Sequence, residues 1–297
     1  MLPSKQPFSQ RHPVITGLLL MMVAMALLAG GMATYKNMSG SGALAAPRLG
    51  FVRIEGMILD TRKTMDWVKT LREDASVKGV LVRVDSPGGA VAPSQELHDA
   101  IKLLAAEKPV VVSMGSVAAS GGLMVSTGAT RIVANPATLT GSIGVKMEMP
   151  QLQGLMEKLG VGRQTLVSGD LKDAGSPFRP LTEHERTYLQ SIIMEMYGQF
   201  VRSIAEDREI PEDKVRSFAD GRVITGSQAV ALGLVDVLGS QEVALDQLRE
   251  LCHMPRNAKV TLLEQPKERS FMRDLLEAAM ELQPVEQARI PSFLYVW

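Results

Sequence analysis

The sequence predicts an α/β fold with a mainly parallel sheet, and three observations carry that prediction. Apolar, β-branched runs recur at Leu49–Ile54, Gly79–Val84 and Val110–Ser113, as buried strands require. Between them lie segments with helical apolar spacing: Met65, Val68 and Leu71 in the first, Leu97, Ile101, Leu104 and Ala105 in the second. Glycine-rich turns close the strands, notably Asp85-Ser86-Pro87-Gly88-Gly89. Strand, turn, helix, strand in that order is a right-handed βα wind.

Taken in order, the chain opens with a segment outside the globular fold. Residues 1–13 carry Lys5 and Arg11 and no acid, and residues 14–35 carry no charge at all. A helix of about 20 apolar residues spans a hydrocarbon core, and a cleavable signal has a shorter apolar stretch. The expectation is therefore one N-terminal transmembrane helix at 14–35 acting as an uncleaved signal-anchor. The basic head favours a cytoplasmic residue 1–13 segment and places the rest across the membrane. Residues 36–47 are small and polar and read as a linker.

The globular domain is expected at 48–260, with a helical extension and an apolar tail at 261–297. Further strands are expected at 131–134, 139–145 and 163–167. A long helix starts at Thr182, where Thr182 and Glu185 have capping-box spacing. A short helix at 226–233 is stopped by glycine. The 297 residues are 45% hydrophobic with 32 basic and 32 acidic side chains, enough to bury one large core and giving no basic excess for a nucleic-acid partner. The single cysteine, Cys252, rules out an intrachain disulfide and a cysteine-rich metal site.

The chemistry centres on Ser113-Met-Gly-Ser-Val-Ala-Ala-Ser120-Gly-Gly. Ser120 stands at a strand-to-helix junction among residues too small to shield it, the setting of a nucleophilic serine near helix-start N–H groups. The same position suits a helix N-cap, and this segment alone leaves both roles open. A loop N–H from Ser86-Pro87-Gly88-Gly89, facing the N–H of Ser120, would make a two-donor oxyanion hole.

The base is harder to find. Of the four histidines, His12 precedes the apolar segment and His253 sits in a polar terminal region. His98 and His184 fall on polar helix faces and read as solvated, so a Ser-His-Asp triad is poorly supported. Lysine also serves as a base for serine, and Lys172 lies in a glycine-rich loop, although alone it reads as a surface lysine. Met147, Met149, Leu152 and Met156 fit either core packing or an exposed contact surface.

Five motifs occur in order: D-S-P-G-G, M-G-S-V-A-A-S-G-G, T-G-S-I-G-V, S-G-x-x-K-D-x-G-S-P and G-R-V-x-T-G-x-x-A-x-x-x-G-L-V-D. Over roughly 49–251 the chain thereby resembles the signal peptide peptidase A family, in its short form with one catalytic domain, membrane-anchored serine proteases of the Clp/crotonase fold superfamily. The resemblance implies a ββα-spiral core, Ser120 as nucleophile and Lys172 as general base. It implies an oxyanion hole from Gly89 and Ser120, and Ser142 as the serine that orients the lysine amine. It further implies a homo-oligomeric ring sharing the dyad between neighbours, and cleaved signal peptides as substrates at the outer face of a bacterial cytoplasmic membrane. No metal or cofactor is expected. A lysine must fall from about 10.4 to roughly 7–8 to act as base, so Asp170 and Asp173 should point away from its amine. Small apolar residues at Leu123, Met124, Val125 and Ala129 suggest pocket linings for alanine- or leucine-sized side chains.

Overall fold

The computed structural model describes residues 13–40 and 48–266. The expectations for 1–12, for the linker from 41 and for the tail from 267 lie outside the described residues. The chain divides into two units, residues 1–47 and 48–297.

In the first unit, Pro13–Gly40 forms one helix, α1. Its described side chains are 14, 18 and 20–31, all exposed. Among the described residues no helix is long and apolar enough to cross a membrane.

The second unit is built on one eight-stranded sheet ordered β6-β5-β3-β2-β1-β8, with β4 attached beside β3 and β7 beside β4. The strands are β1 Arg48–Glu55, β2 Val77–Ser86, β3 Val110–Ala119, β4 Arg131–Ala134, β5 Leu139–Gly141, β6 Val223–Thr225, β7 Val237–Leu238 and β8 Thr261–Leu263. All pairings are parallel except β5 with β6. The helices are α2 Arg62–Glu73, α3 Val91–Glu107, α4 Gly121–Thr127, α5 Gln153–Lys158, α6 Glu183–Asp207, α7 Glu212–Arg216, α8 Gly226–Leu232 and α9 Gln241–Leu251. The sheet is thus mixed, with the expected parallel centre.

The apolar runs are continuous because both sheet faces are covered. Val80, Val82 and Val84, with Val110, Val112 and Met114, face one core that includes Leu97, Ile101 and Leu104 of α3 and Ile204 of α6. Leu81, Val111 and Phe51 face the other, closed by Ala244 and Leu248 of α9. Leu123 and Val125 of α4 are fully buried and Met124 is 4% exposed. These three are core rather than pocket lining, a correction that follows from α4 being wedged between the sheet and α3.

β3 changes partners along its length, pairing β4 through Val111–Ser113 and β5 through Val117–Ala119. The ladder with β2 slips between Val84 and Ser86. There the Asp85 carboxylate accepts the Val117 N–H at 3.0 Å, so a side chain replaces the missing ladder partner. This change of direction carries Ser120 out of the sheet.

Three boundaries differ from expectation. β5 ends at Gly141 because Gly141 and Ser142 both take positive φ, 76° and 52°. Residues 163–167 have no strand structure and are all exposed, since no strand edge among the described residues meets them. The region after Val260 opens as a strand, β8, which adds in parallel to the β1 edge. The capping box at Thr182 and Glu185 forms as expected, and Gly233 ends α8 at φ 83°.

His98 is buried, 5% exposed, which corrects the expectation of a solvated histidine. Its ring contacts Asp207 at 2.6 Å and Asp99 at 2.9 Å. Asp207 also accepts from Lys102 at 2.7 Å and from Thr127 at 2.8 Å, tying α3, α4 and α6 together. Burial opposes the imidazolium, but the Asp207 and Asp99 hydrogen bonds outweigh it and raise His98 above its usual range. Burial likewise opposes the Asp207 carboxylate, and His98 and Lys102 overcome it, holding Asp207 at about 2. A raised histidine stabilises the fold fully below its unfolded value and loses that contribution as pH climbs through its folded value. We expect wild type to exceed His98→Gln in urea unfolding by roughly 1.5–3 kcal/mol below about pH 6.5, with the gap closing as pH rises. A gap independent of pH would remove the charged histidine from this account.

Candidate active site

Ser120 ends β3 and starts α4 with φ 52° and ψ −120°. A non-glycine residue in that region carries backbone strain of roughly 1–3 kcal/mol. Its side chain makes no N-cap hydrogen bond to the helix, which decides against the capping role left open by the sequence. The turn holds through two backbone bonds: Ser120 N–H to Gly141 O at 2.9 Å, and Met124 N–H to Ser120 O at 3.0 Å. The half-buried hydroxyl has no hydrogen-bond partner among the described residues.

The loop after β2 lies directly on this turn. A Cβ on Gly88, whose φ is 102°, would stand 2.7 Å from Gly121 N and 2.9 Å from Ser120 Cβ. A Cβ on Gly122 would stand 2.7 Å from Ser86 O, and one on Gly121 would collide with Ser94 Oγ. The glycines of the two motifs therefore answer one another across a single close contact.

Gly89 bridges in parallel to Ile58. Ile58 N–H donates to Gly88 O at 2.9 Å and Ala90 N–H donates to Ile58 O at 2.8 Å. The Gly89 N–H, facing the other way in such a bridge, has no acceptor among the described residues. The Ser120 N–H, by contrast, is engaged by Gly141 O. The donor that the sequence reading took from Ser120 is thus already used. Gly121, first residue of α4, has an N–H with no intrahelical acceptor.

Ser142 stands abreast of Ser120, because Ala119 and Gly141 are partners in the β3–β5 ladder. It shares the positive φ, and Arg222 O accepts its N–H at 2.7 Å. Lys172 belongs to a different region. Between Ile143 and Glu185 no residue is buried, and α5 contributes none to a core. Lys172 is exposed, and its ammonium has no hydrogen-bond or ion-pair partner among the described residues. The chain therefore brings Ser120, Ser142, Gly88 and Gly89 together, while Lys172 makes no hydrogen bond or ion pair with any of them.

Asp173 points away from Lys172 as required. Its carboxylate accepts from Arg179 at 3.1 Å, and Arg179 reaches Glu185 at 2.5 Å and 2.8 Å. Asp170 forms no ion pair with Lys172. Arg179 and the Thr182 N–H hold the buried Glu185 carboxyl at about 2. Sequence reasoning missed Arg179, whose spacing to Asp173 and Glu185 does not mark it as their bridge. A cavity of about 450 Å³ beside this cluster is lined by Met156, Val167, Asp170, Phe178 and Arg179, and Ser120 takes no part in it.

With this geometry in view, the comparisons with known proteins are specific. A family model described as Peptidase family S49 matches residues 102–254. The chain belongs to peptidase family S49. A Clp protease model matches residues 55–140. The protein slr0021 of Synechocystis sp. is 40% identical over 224 residues, covering 74% of this chain and 80% of that one. The protein MJ0651 of Methanocaldococcus jannaschii is 44% identical over 195 residues, covering 66% and 63%. Serine protease SPPA, chloroplastic, of Arabidopsis thaliana is 36% identical over 222 residues, covering 74% of this chain and 33% of the relative. The chain thus spans less than two thirds of the length of some relatives it matches. The S49 match takes in Ser120, Ser142, Lys172, Arg179 and Glu185.

The Asp173–Arg179–Glu185 cluster is the only ionic cluster tying the Lys172 loop to α6 among the described residues. Arg179→Ala should speed tryptic cleavage after Lys172 on the order of tenfold through local opening, with the main thermal transition little changed. An unchanged cleavage rate would mean that the cluster does not hold the loop.

Proposed function

We propose that the chain is a membrane-anchored serine endopeptidase with a Ser120–Lys172 dyad, acting on cleaved signal peptides and other apolar fragments. The observation that carries this reading is the strained Ser120 turn with the Gly88–Gly89 loop pressed against it. Ser120 Oγ attacks the scissile carbonyl as its proton passes to a neutral Lys172 amine. The oxyanion is held by the N–H groups of Gly89 and Gly121, the latter taking the place first assigned to Ser120. The protonated lysine then gives its proton to the leaving amine, and water, deprotonated by the same group, releases the acyl-enzyme. Ser142 orients the lysine amine.

The lysine reaches a serine by assembly. Residues 144–184 have no core of their own and expose Leu155, Leu159, Val161 and Leu166, the last 91% exposed. This supports the contact-surface reading of the Met147–Met156 region over core packing. A second copy of the chain, placed by rotation in a closed ring, covers this surface and brings Lys172 to the neighbour's Ser120. The uncharged 14–35 segment and the acid-free head support a signal-anchor that holds the domain outside a bacterial cytoplasmic membrane, where apolar fragments are met.

Ser120→Ala and Lys172→Arg should each cut peptide hydrolysis by about 10³-fold or more, the arginine because it stays protonated. Mixing Ser120→Ala with Lys172→Ala subunits should restore activity after subunit exchange, since some interfaces then join an intact serine to an intact lysine. Activity in Lys172→Arg would sink the dyad. No recovery after verified exchange, or full activity in a proven monomer, would sink the sharing between subunits.

A further inference from the structure

The Ser86 hydroxyl is fully buried and is used twice. It donates to Gly56 O at 2.6 Å and accepts the Gly88 N–H at 3.1 Å. Gly56 opens the loop after β1, and Gly88 belongs to the loop that lies on Ser120 and Gly121. Those two segments run together through Gly56 N–H to Asp85 O at 3.0 Å, Ile58 N–H to Gly88 O, and Ala90 N–H to Ile58 O. Residues 56–58 form a strap, and one hydroxyl fastens its start to the glycine loop.

We propose that Ser86 is a positioning residue that sets the oxyanion donors, acting through Gly88 on both Gly89 and Gly121. Serine suits the task because a single oxygen on a one-carbon arm both donates and accepts. Without the hydroxyl, the buried Gly88 N–H loses its acceptor and Gly56 O loses its donor. Gly88, held at φ 102°, is then free to relax. Its relaxation turns the Gly89 N–H away from the acyl oxygen and loosens the contact on Gly121. Ser86 touches no substrate, so its effect falls on the transition state, where the oxyanion forms, and not on ground-state binding.

This inference rests on the protease reading, and the experiment keeps the two apart. Wild type, Ser86→Ala and Ser86→Cys, each as the full chain, are compared for peptide hydrolysis, fluorophosphonate labelling of Ser120, and inhibition by a peptide boronate whose tetrahedral adduct fills the oxyanion hole. The expected result for Ser86→Ala is a fall in kcat of about 10–100-fold with KM within about twofold. Boronate affinity should fall by a similar factor, with thermal unfolding still cooperative. Ser86→Cys, nearly isosteric with a weaker donor, should lie between the two. Wild-type kcat in a folded Ser86→Ala, or a loss residing in KM alone, overturns the proposal. Failure of both variants to fold also overturns it, because the hydroxyl would then serve the fold and not the donors. Absence of labelling and hydrolysis in wild type would instead strike the protease reading, and this inference with it.

Discussion

The closeness of Gly88 to the Ser120–Gly121 turn is the constraint on which the rest of the site depends. It needs two glycine-bearing loops from neighbouring parallel strands to touch backbone to backbone. That in turn needs β2 and β3 to slip out of register just before their ends, which the Asp85 carboxylate permits by taking the place of a ladder acceptor. The sheet is rigid below this point, with both faces buried. The strain at Ser120 is therefore held by a frame that cannot easily relax. Gly141 completes the frame from the other side by accepting the Ser120 N–H.

Much of the fold was legible because burial on both faces leaves long β-branched runs, and because the capping box at Thr182 and the glycine at 233 mark helix ends directly. The strand expected at 163–167 was not, since apolar alternation records only that a segment seeks a partner, not that the chain supplies one. β8 was missed for the reverse reason: Thr261–Leu263 is too short for a period, and its strand character comes from the waiting β1 edge. His98 was misjudged because its partners, Asp207 above all, lie far away in sequence. A polar helix face looks solvated until another helix covers it.

The site divides along the same line. Ser120, Ser142 and the Gly88–Gly89 loop were legible as motifs because close backbone approach leaves its mark as glycine and serine at fixed places. Which N–H groups remain free was not, because hydrogen-bond occupancy depends on register: Ala119 opposite Gly141 is what consumes the Ser120 donor. Arg179 escaped notice because an arginine bridging two carboxylates looks, in sequence, like any other surface charge.

The stretch from 144 to 184, without one buried side chain, has a consequence for how activity would scale in the cell. If the proposed dyad is right, a newly made chain carries its nucleophile on a finished body and its lysine on a segment that buries no side chain of its own. On the proposed reading such a chain is latent by construction. It needs no propeptide or inhibitor while it is dilute, and its activity rises faster than its copy number once neighbours meet. Confinement to two dimensions by an anchor would then serve as the trigger, since crowding on a surface raises the encounter rate of the two halves of each site.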